Sequence, residues 1–276
     1  KPVFALNPSH TSYMVTLSIV VSTYNNPEAL KLIIKRLEKG ATLPDQIIIA
    51  DDGSTKDTST LIEELEKSAK TPIIHCWHED MGFRKNRILN ISLAKVSSDY
   101  VIFLDGDCLP RRDFVKDHLK LAEPHCLVQG RRTFIPESYV PSVLSGQISI
   151  AKLTWTFQLQ GWFKSLRLPF PLVKRNQDLY GLLGCNLAAW RKDLEAINGF
   201  DEEYEGWGIG EDSDLGARLY NLGNHRKFVY GRSIVYHLNH PELQKGHVPE
   251  SKARLQKTVD SKRIRCERGL NLHLTS

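Results

Sequence analysis

The chain has 276 residues, 41% hydrophobic and 25% charged, a composition that excludes general disorder and suits one large α/β domain or two small ones. No run approaches the roughly eighteen apolar residues of a membrane span, and the opening Lys1-Pro-Val-Phe-Ala-Leu-Asn-Pro8 lacks the apolar core of a signal peptide. Five scattered cysteines without a Cys-x-x-Cys pair exclude a disulfide framework and a zinc site, and the net charge of +5 is uneven, with eight Lys/Arg against four acids in residues 241–276.

Residues 1–15 carry two prolines and no period, and read as an extended lead-in. A first buried strand spans 16–21 and closes in Ser22-Thr-Tyr-Asn25. Asn26 then offers a helix cap, Pro27 suits the first helical position, Leu30, Ile33, Ile34 and Leu37 recur at helical spacing, and Gly40 supplies the stop. A second strand at 46–50 runs into Asp51-Asp-Gly-Ser54 and an amphipathic helix carrying Leu61, Ile62 and Leu65. A third, at 72–77, leads through Gly82-Phe-Arg84 into a helix with Ile88, Ile91 and Leu93. The apolar run 100–104 follows, without alternation, as expected of a strand covered on both faces, and it delivers Asp105-Gly-Asp107 into a turn. Strands alternating with helices predict an open, mostly parallel sheet, which binds ligands at the carboxyl ends of its strands.

After a helix near 113–122 and a strand at 126–130, residues 142–170 are rich in aromatics, among them Trp155, Phe157, Trp162, Phe163 and Phe170. They read either as a core at helical spacing or as a lid, acceptor wall or membrane-facing element. Residues 181–240 hold Gly184-Cys-Asn186, Gly199-Phe-Asp201 and Gly206-Trp-Gly-Ile-Gly-Glu211-Asp212-Ser-Asp214, then a helix through Leu215, Leu219 and Leu222 and strands at 227–230 and 233–237. The tail from Pro249 reads as one basic helix, with a free end from Leu270.

An Asp-x-Asp turn at the end of a buried strand can hold a hard cation such as Mg²⁺ or Mn²⁺ with one carboxylate and accept from a sugar hydroxyl with the other. Alone it serves equally well as a turn or helix cap, as does Asp51-Asp-Gly-Ser54. A carboxylate at the latter position has the polarity to accept the N3–H of uracil. An EF-hand is excluded because no further acids follow at the required offsets, and a nicotinamide enzyme because Ser22-Thr-Tyr-Asn25 stands where Gly-x-Gly-x-x-Gly is needed.

In this order, Ser22-Thr-Tyr-Asn25, Asp51-Asp-Gly-Ser54, Gly82-Phe-Arg84 and Leu104-Asp-Gly-Asp107 resemble the nucleotide-sugar half of family 2 glycosyltransferases of the GT-A fold. The motifs from Gly184 to Asp214 resemble the acceptor half shared by bacterial chondroitin-polymerase domains and β-1,4-galactosyltransferases. The resemblance implies one GT-A domain over 1–276, with a nucleotide-sugar half at 16–130, an acceptor half at 131–240 and a basic helical tail at 241–276. It implies that Ser22 and Asp52 contact uracil with Tyr24 and Asn25 completing the wall, that Asp105 contacts the ribose, and that Asp107 and His237 bind Mn²⁺ or Mg²⁺, with His240 as a substitute. Trp207 and Glu211 would bind the acceptor and Asp212 would be the catalytic base, since inverting transfer requires a carboxylate to take the hydroxyl proton. Glu211 and Asp212 also suit a plain helix start. Where many relatives have Arg-Asn after the Gly-Phe-Arg turn, this chain has Leu89-Asn90, which leaves Arg84, or its neighbours Lys85 and Arg87, for the diphosphate.

The implied partners are a nucleotide-sugar, with UDP-sugar expected, and a carbohydrate acceptor in bacterial polysaccharide or lipooligosaccharide synthesis. Nucleic acid is not expected; anionic lipid is the surface the tail would meet, from a cytoplasmic location at the inner face of the membrane. A sugar nucleotidyltransferase is the competing enzyme, though its Gly-rich basic loop is missing, and a binding module without catalysis is the competing non-enzyme.

Overall fold

Leu17–Thr23 (β1) alternates its side chains between two apolar layers: Leu17, Ile19 and Val21 pack on one face and Val20 on the other. A strand covered on both faces belongs in the middle of a sheet. The computed structural model describes residues 14–206, 208, 210–241 and 248–274. After β1 come α1 (Pro27–Glu38), β2 (Gln46–Asp51), α2 (Lys56–Ser68), β3 (Ile73–Trp77), α3 (Lys85–Leu93) and β4 (Tyr100–Asp105). The cap on α1 is the expected one, with the Asn26 side chain accepting from Ala29 N–H at 3.3 Å and Pro27 following it. Its buried face of Ala29, Leu30, Ile33, Ile34 and Leu37 covers the Ile19 side of the sheet, while Ile88 and Leu89 of α3 cover the Val20 side. Each large aliphatic so buried contributes on the order of 1.5–3 kcal/mol.

Then follow β5 (Cys108–Pro110), α4 (Phe114–Leu121), β6 (Cys126–Gln129), β7 (Arg132–Ile135), α5 (Val140–Leu144), α6 (Ile150–Trp155), β8 (Leu172–Asn176), β9 (Asn186–Trp190), α7 (Arg191–Ala196), α8 (Glu211–Asn221), β10 (His225–Tyr230), β11 (Val235–Leu238) and α9 (Val248–Asp260). The main sheet has the order β3-β2-β1-β4-β9-β6-β10-β8, and β5-β11-β7 form a small second sheet. The β3-β2-β1-β4 run is parallel, as expected, and chain order reverses at β1, which puts a ligand crevice at the ends of β1 and β4. Two strands run against the rest: β9 is inserted antiparallel between β4 and β6, and β8 forms an antiparallel edge on β10. The short β5, β7, β8 and β9 have no counterpart among the strands expected from the sequence.

The C-terminal region departs from expectation in two ways. The basic residues do not share one helix, since α9 ends at Asp260 and Lys262, Arg263, Arg265 and Arg268 lie beyond it. Nor is the end free: Cys266 and Leu270 are 3% and 2% exposed, Asn271 N–H donates to Asn198 Oδ1 at 2.8 Å, and His273 meets Glu202 at 2.6 Å. The aromatic segment does not supply a core either, for Trp155 is 83% exposed and Phe157, Phe163 and Phe170 are 60–64% exposed. All five cysteines are buried free thiols. Among the described residues no helix is long and apolar enough to cross a membrane.

Candidate active site

The parallel strands deliver their ends to one side. Ser22 of β1 is in register with Asp105 of β4, and Thr23 with Asp51 of β2. A cleft of about 400 Å³ opens there, lined by Ser22, Tyr24, Asp52, Lys85, Asp105 and Asp107 on the sheet side, and by Val140, Leu144 and His240 opposite. The glycine between the two aspartates is a steric requirement, because a Cβ on Gly106 would lie 2.3 Å from the Ser22 carbonyl oxygen.

Asp52 is held from two sides: its Oδ1 lies 2.7 Å from His78 Nε2, and its Oδ2 accepts the backbone N–H of Arg84 at 3.1 Å, at the start of α3. The Tyr24 hydroxyl donates to Asp80 at 2.9 Å on the exposed rim. Asn25 turns away from the cleft to join two loops, its N–H donating to Ser54 Oγ at 2.8 Å and its Oδ1 accepting from Thr55 N–H at 2.9 Å; Asn26 is the asparagine that lines the cleft. Arg84 also differs from its expected place. Its guanidinium donates to the Glu79 carbonyl, and the neighbouring Lys85 presents its ammonium to the cleft, 2.5 Å from Asp105 Oδ1. Arg87 faces Glu202 at 3.6 Å.

Asp105 also accepts from Ser22 Oγ at 3.2 Å. Asp107 leads into β5, and β11 pairs antiparallel with β5 so that His237 falls opposite Cys108. That register, with Leu238 N–H donating to the Asp107 carbonyl at 2.8 Å, brings two imidazoles to one carboxylate oxygen: His237 Nε2 lies 3.3 Å and His240 Nε2 3.1 Å from Asp107 Oδ2. The three residues offer ligand atoms within 4.8 Å of one another. His240 therefore joins His237 instead of replacing it. Burial works against the Asp107 carboxylate, but the hydrogen bond from His240 and the His237 ring hold it below the usual range. Burial lowers His237, while the hydrogen bond to Asp107 raises His240 to about 9. Asp107 Oδ1 is buried with no hydrogen-bond partner among the described residues, which fits a site built for a cation. One carboxylate with two imidazoles is a donor set that can hold a divalent cation.

The reversed strand β9 supplies the other half of the site. Pairing of Leu104 with Asn186 sets the preceding Gly184-Cys185 beside Asp105, whose N–H donates to the Cys185 carbonyl at 3.4 Å. From the first turn of α8, the Asp212 carboxylate accepts Gly184 N–H at 2.7 Å, and a Cβ on Gly184 would meet Asp212 Oδ1 at 2.3 Å. Desolvation and then the neighbouring Glu211 carboxylate push Asp212 up to about 7, against the pull of Lys85. A carboxyl group with this pKa can exchange a proton near neutrality. Trp207 lies outside the described residues.

Sequence reasoning missed His78 as the partner of Asp52 and the Gly184 N–H as the partner of Asp212, for neither residue type nor spacing signals a contact made across strands. Asn90, which keeps the Asn of the Arg-Asn pattern beside the Leu89 departure, is fully buried and ties α3 to the Gly199-Phe-Asp201 turn through Phe200 N–H and carbonyl, both at 2.8 Å.

A family model described as glycosyl transferase family 2 matches residues 18–195, and one described as the N-terminal domain of galactosyltransferase matches residues 165–241. Hyaluronan synthase of Pasteurella multocida is 27% identical over 259 residues, covering 87% of this chain and 26% of that protein. Chondroitin synthase of Escherichia coli is 26% identical over 243 residues, covering 82% of this chain and 35% of that protein. The chain thus spans about a quarter to a third of the length of these relatives. Among solved structures, GalNAc-T7 with UDP, GalNAc and Mn²⁺ matches with a TM-score of 0.64 at 16% identity, over 90% of this chain and 49% of that one, which shows a shared GT-A fold.

Proposed function

The chain belongs to glycosyl transferase family 2, and on that premise we propose that it transfers a sugar from a UDP-sugar to a carbohydrate hydroxyl, with inversion and with a divalent cation, in bacterial polysaccharide or lipooligosaccharide synthesis. The observation that carries this reading is the Asp107, His237 and His240 cluster, two of whose members line the same cleft as Asp52 and Asp105. Residues 16–130 form the nucleotide-sugar half and 131–240 the acceptor half.

Asp52, fixed by His78, accepts the uracil N3–H, with Ser22 and the Tyr24 ring beside it. Asp105 accepts from the ribose. Lys85 stands where Arg84 was expected to meet the diphosphate. Asp107, His237 and His240 would hold Mn²⁺, which when bound neutralises charge on the departing diphosphate. Asp212 takes the proton from the acceptor hydroxyl as its oxygen forms the bond to the sugar C1 and the bond from C1 to the diphosphate oxygen breaks on the opposite face. Glu211 and Trp207 bind the acceptor. Release of UDP measured over a panel of UDP-, GDP- and dTDP-sugars, with Mn²⁺ and with excess EDTA, tests the reading. UDP-sugar turnover that survives EDTA unchanged would sink it.

The exposed Lys252, Lys257, Lys262 and Arg268 and the exposed aromatics at 155–170 belong to the proposal as a contact surface for anionic lipid.

A further inference from the structure

A small void of about 10 Å³ separates the donor carboxylate from the acceptor carboxylate, lined by Ser22, Lys85, Asp105, Gly184 and Asp212 with apolar walls including Leu89 and Phe200. Lys85 lines both this void and the donor cleft. It is the first residue of α3, so its ammonium adds to the positive end of that helix. Burial works against the ammonium, but the carboxylates of Asp105, Asp212 and Glu211 outweigh it and raise its pKa above the ordinary lysine value. It therefore stays charged throughout the working range.

We propose that Lys85 is a positioning residue that keeps the Asp212 carboxylate ionised for proton abstraction while its salt bridge aims Asp105 at the donor. The inference rests on Asp212 being the base, and it assigns Lys85 a task beyond contact with the diphosphate. Among the described residues, the charged groups acting on Asp212 are Glu211 on its own helix, Asp105 at the end of β4 and Lys85 at the start of α3, beside the Gly184 N–H. Glu211 and Asp105 disfavour the ionised form. Without Lys85 the repulsion that Glu211 and Asp105 exert on Asp212 would meet less opposition, in a partly apolar setting that strengthens it.

The test follows carboxylate ¹³C signals in protein labelled at aspartate, the Asp212 signal being identified by its loss in Asp212→Asn. In Lys85→Met and Lys85→Gln the Asp212 midpoint should rise by about one pH unit or more. Lys85→Arg, which keeps the charge, should restore it toward the wild-type value. The acidic limb of the transfer rate should move in step. Thermal melts of both neutral variants check that the fold is kept; two are used because either alone could lose it. An Asp212 midpoint unmoved or lowered in both neutral variants overturns the role of Lys85, even where Asp212→Asn is inactive and the base assignment stands. Full transfer by Asp212→Asn overturns the base assignment and leaves the titration result intact.

Discussion

In the proposed metal site, Asp107 and the two imidazoles would take protons and a cation at the same atoms. Because its hydrogen bond to Asp107 raises His240 to about 9, a cation binding at neutral pH must displace the His240 proton. Apparent Mn²⁺ affinity should therefore climb with pH up to about 9, and calorimetry in buffers of different ionisation heat should show proton release; pH-independent affinity would remove His240 from the ligand set. Asp107→Ala should abolish both Mn²⁺ binding and metal-dependent UDP binding. Asp212 predicts differently. Asp212→Asn should leave UDP affinity nearly intact and lower transfer by a factor on the order of 10²–10⁴, the loss typical of a missing general base. Its pKa of about 7 places the acidic limb of the wild-type rate there, with activity rising as the carboxyl ionises. The stability effect has the opposite sign. A folded pKa above the unfolded one favours the fold fully below the ordinary carboxylate value and loses that contribution as pH rises through about 7, a slope that Asp212→Asn should flatten in melts taken across that window.

At the scale of elements, α8 is fastened by charge as well as by its apolar face. Asp214, fully buried, receives Arg218 Nε at 2.7 Å and Thr258 Oγ1 at 2.8 Å, and Arg218 donates on to the carbonyls of Ile197 at 2.8 Å and Gly199 at 2.7 Å. Arg263, from the region after α9, closes the network on Asp201 at 2.9 Å. The acidic residues of the Gly199-Phe-Asp201 and Glu211-Asp-Ser-Asp214 motifs thus divide their work, Asp212 lying beside Asp105 and Lys85 while Asp201 and Asp214 tie α8 to the Gly199 turn and to the region around and after α9. Breaking a buried pair by removing one partner costs about 3–5 kcal/mol, so Asp214→Ala should lower the denaturant midpoint far more than any cleft substitution. A loss no larger than that of Asp107→Ala would show the network to be dispensable. The short strands are not legible in the sequence because β9, Asn-Leu-Ala-Ala-Trp, and β5, Cys-Leu-Pro, have no period and get their pairing from distant partners.

For the whole molecule, the charge counted in the tail is not all available to a partner. Arg263 faces Asp201, Arg265 donates to the carbonyl of Glu195 at 3.1 Å, and Arg254 pairs with Glu203, leaving, among the described residues, Lys252, Lys257, Lys262 and Arg268 exposed and outside these contacts. Each base near an anionic bilayer contributes roughly 1 kcal/mol. The aromatic stretch adds a second face, since residues 138–177 contain no acid and expose Trp155 and Phe163 beside Lys152 and Lys164. Co-sedimentation with anionic vesicles should exceed that with neutral ones and weaken with salt, and Lys252→Glu/Lys257→Glu should weaken it while Trp155→Ala/Phe163→Ala reports on the aromatic face. Equal, negligible binding to both vesicle types would remove the membrane from the account.

The parallel half is legible in the sequence alone, because β1, β2 and β4 are continuous apolar runs ending in Asp and Ser/Asn turns, and parallel strands place those ends on one side whatever the details. Caps, glycine stops and the Asp-Gly-Asp turn are legible for the same reason: their causes are local. What the tertiary structure alone decided was each meeting of residues far apart in the chain. The β11–β5 register puts both His237 and His240 on Asp107. The reversal of β9 carries Gly184 to Asp212, and the turn into α3 sends Lys85 into the cleft and Arg84 out of it. Those contacts depend on strand order and register, and a one-residue change in either would turn the same side chains to the opposite face.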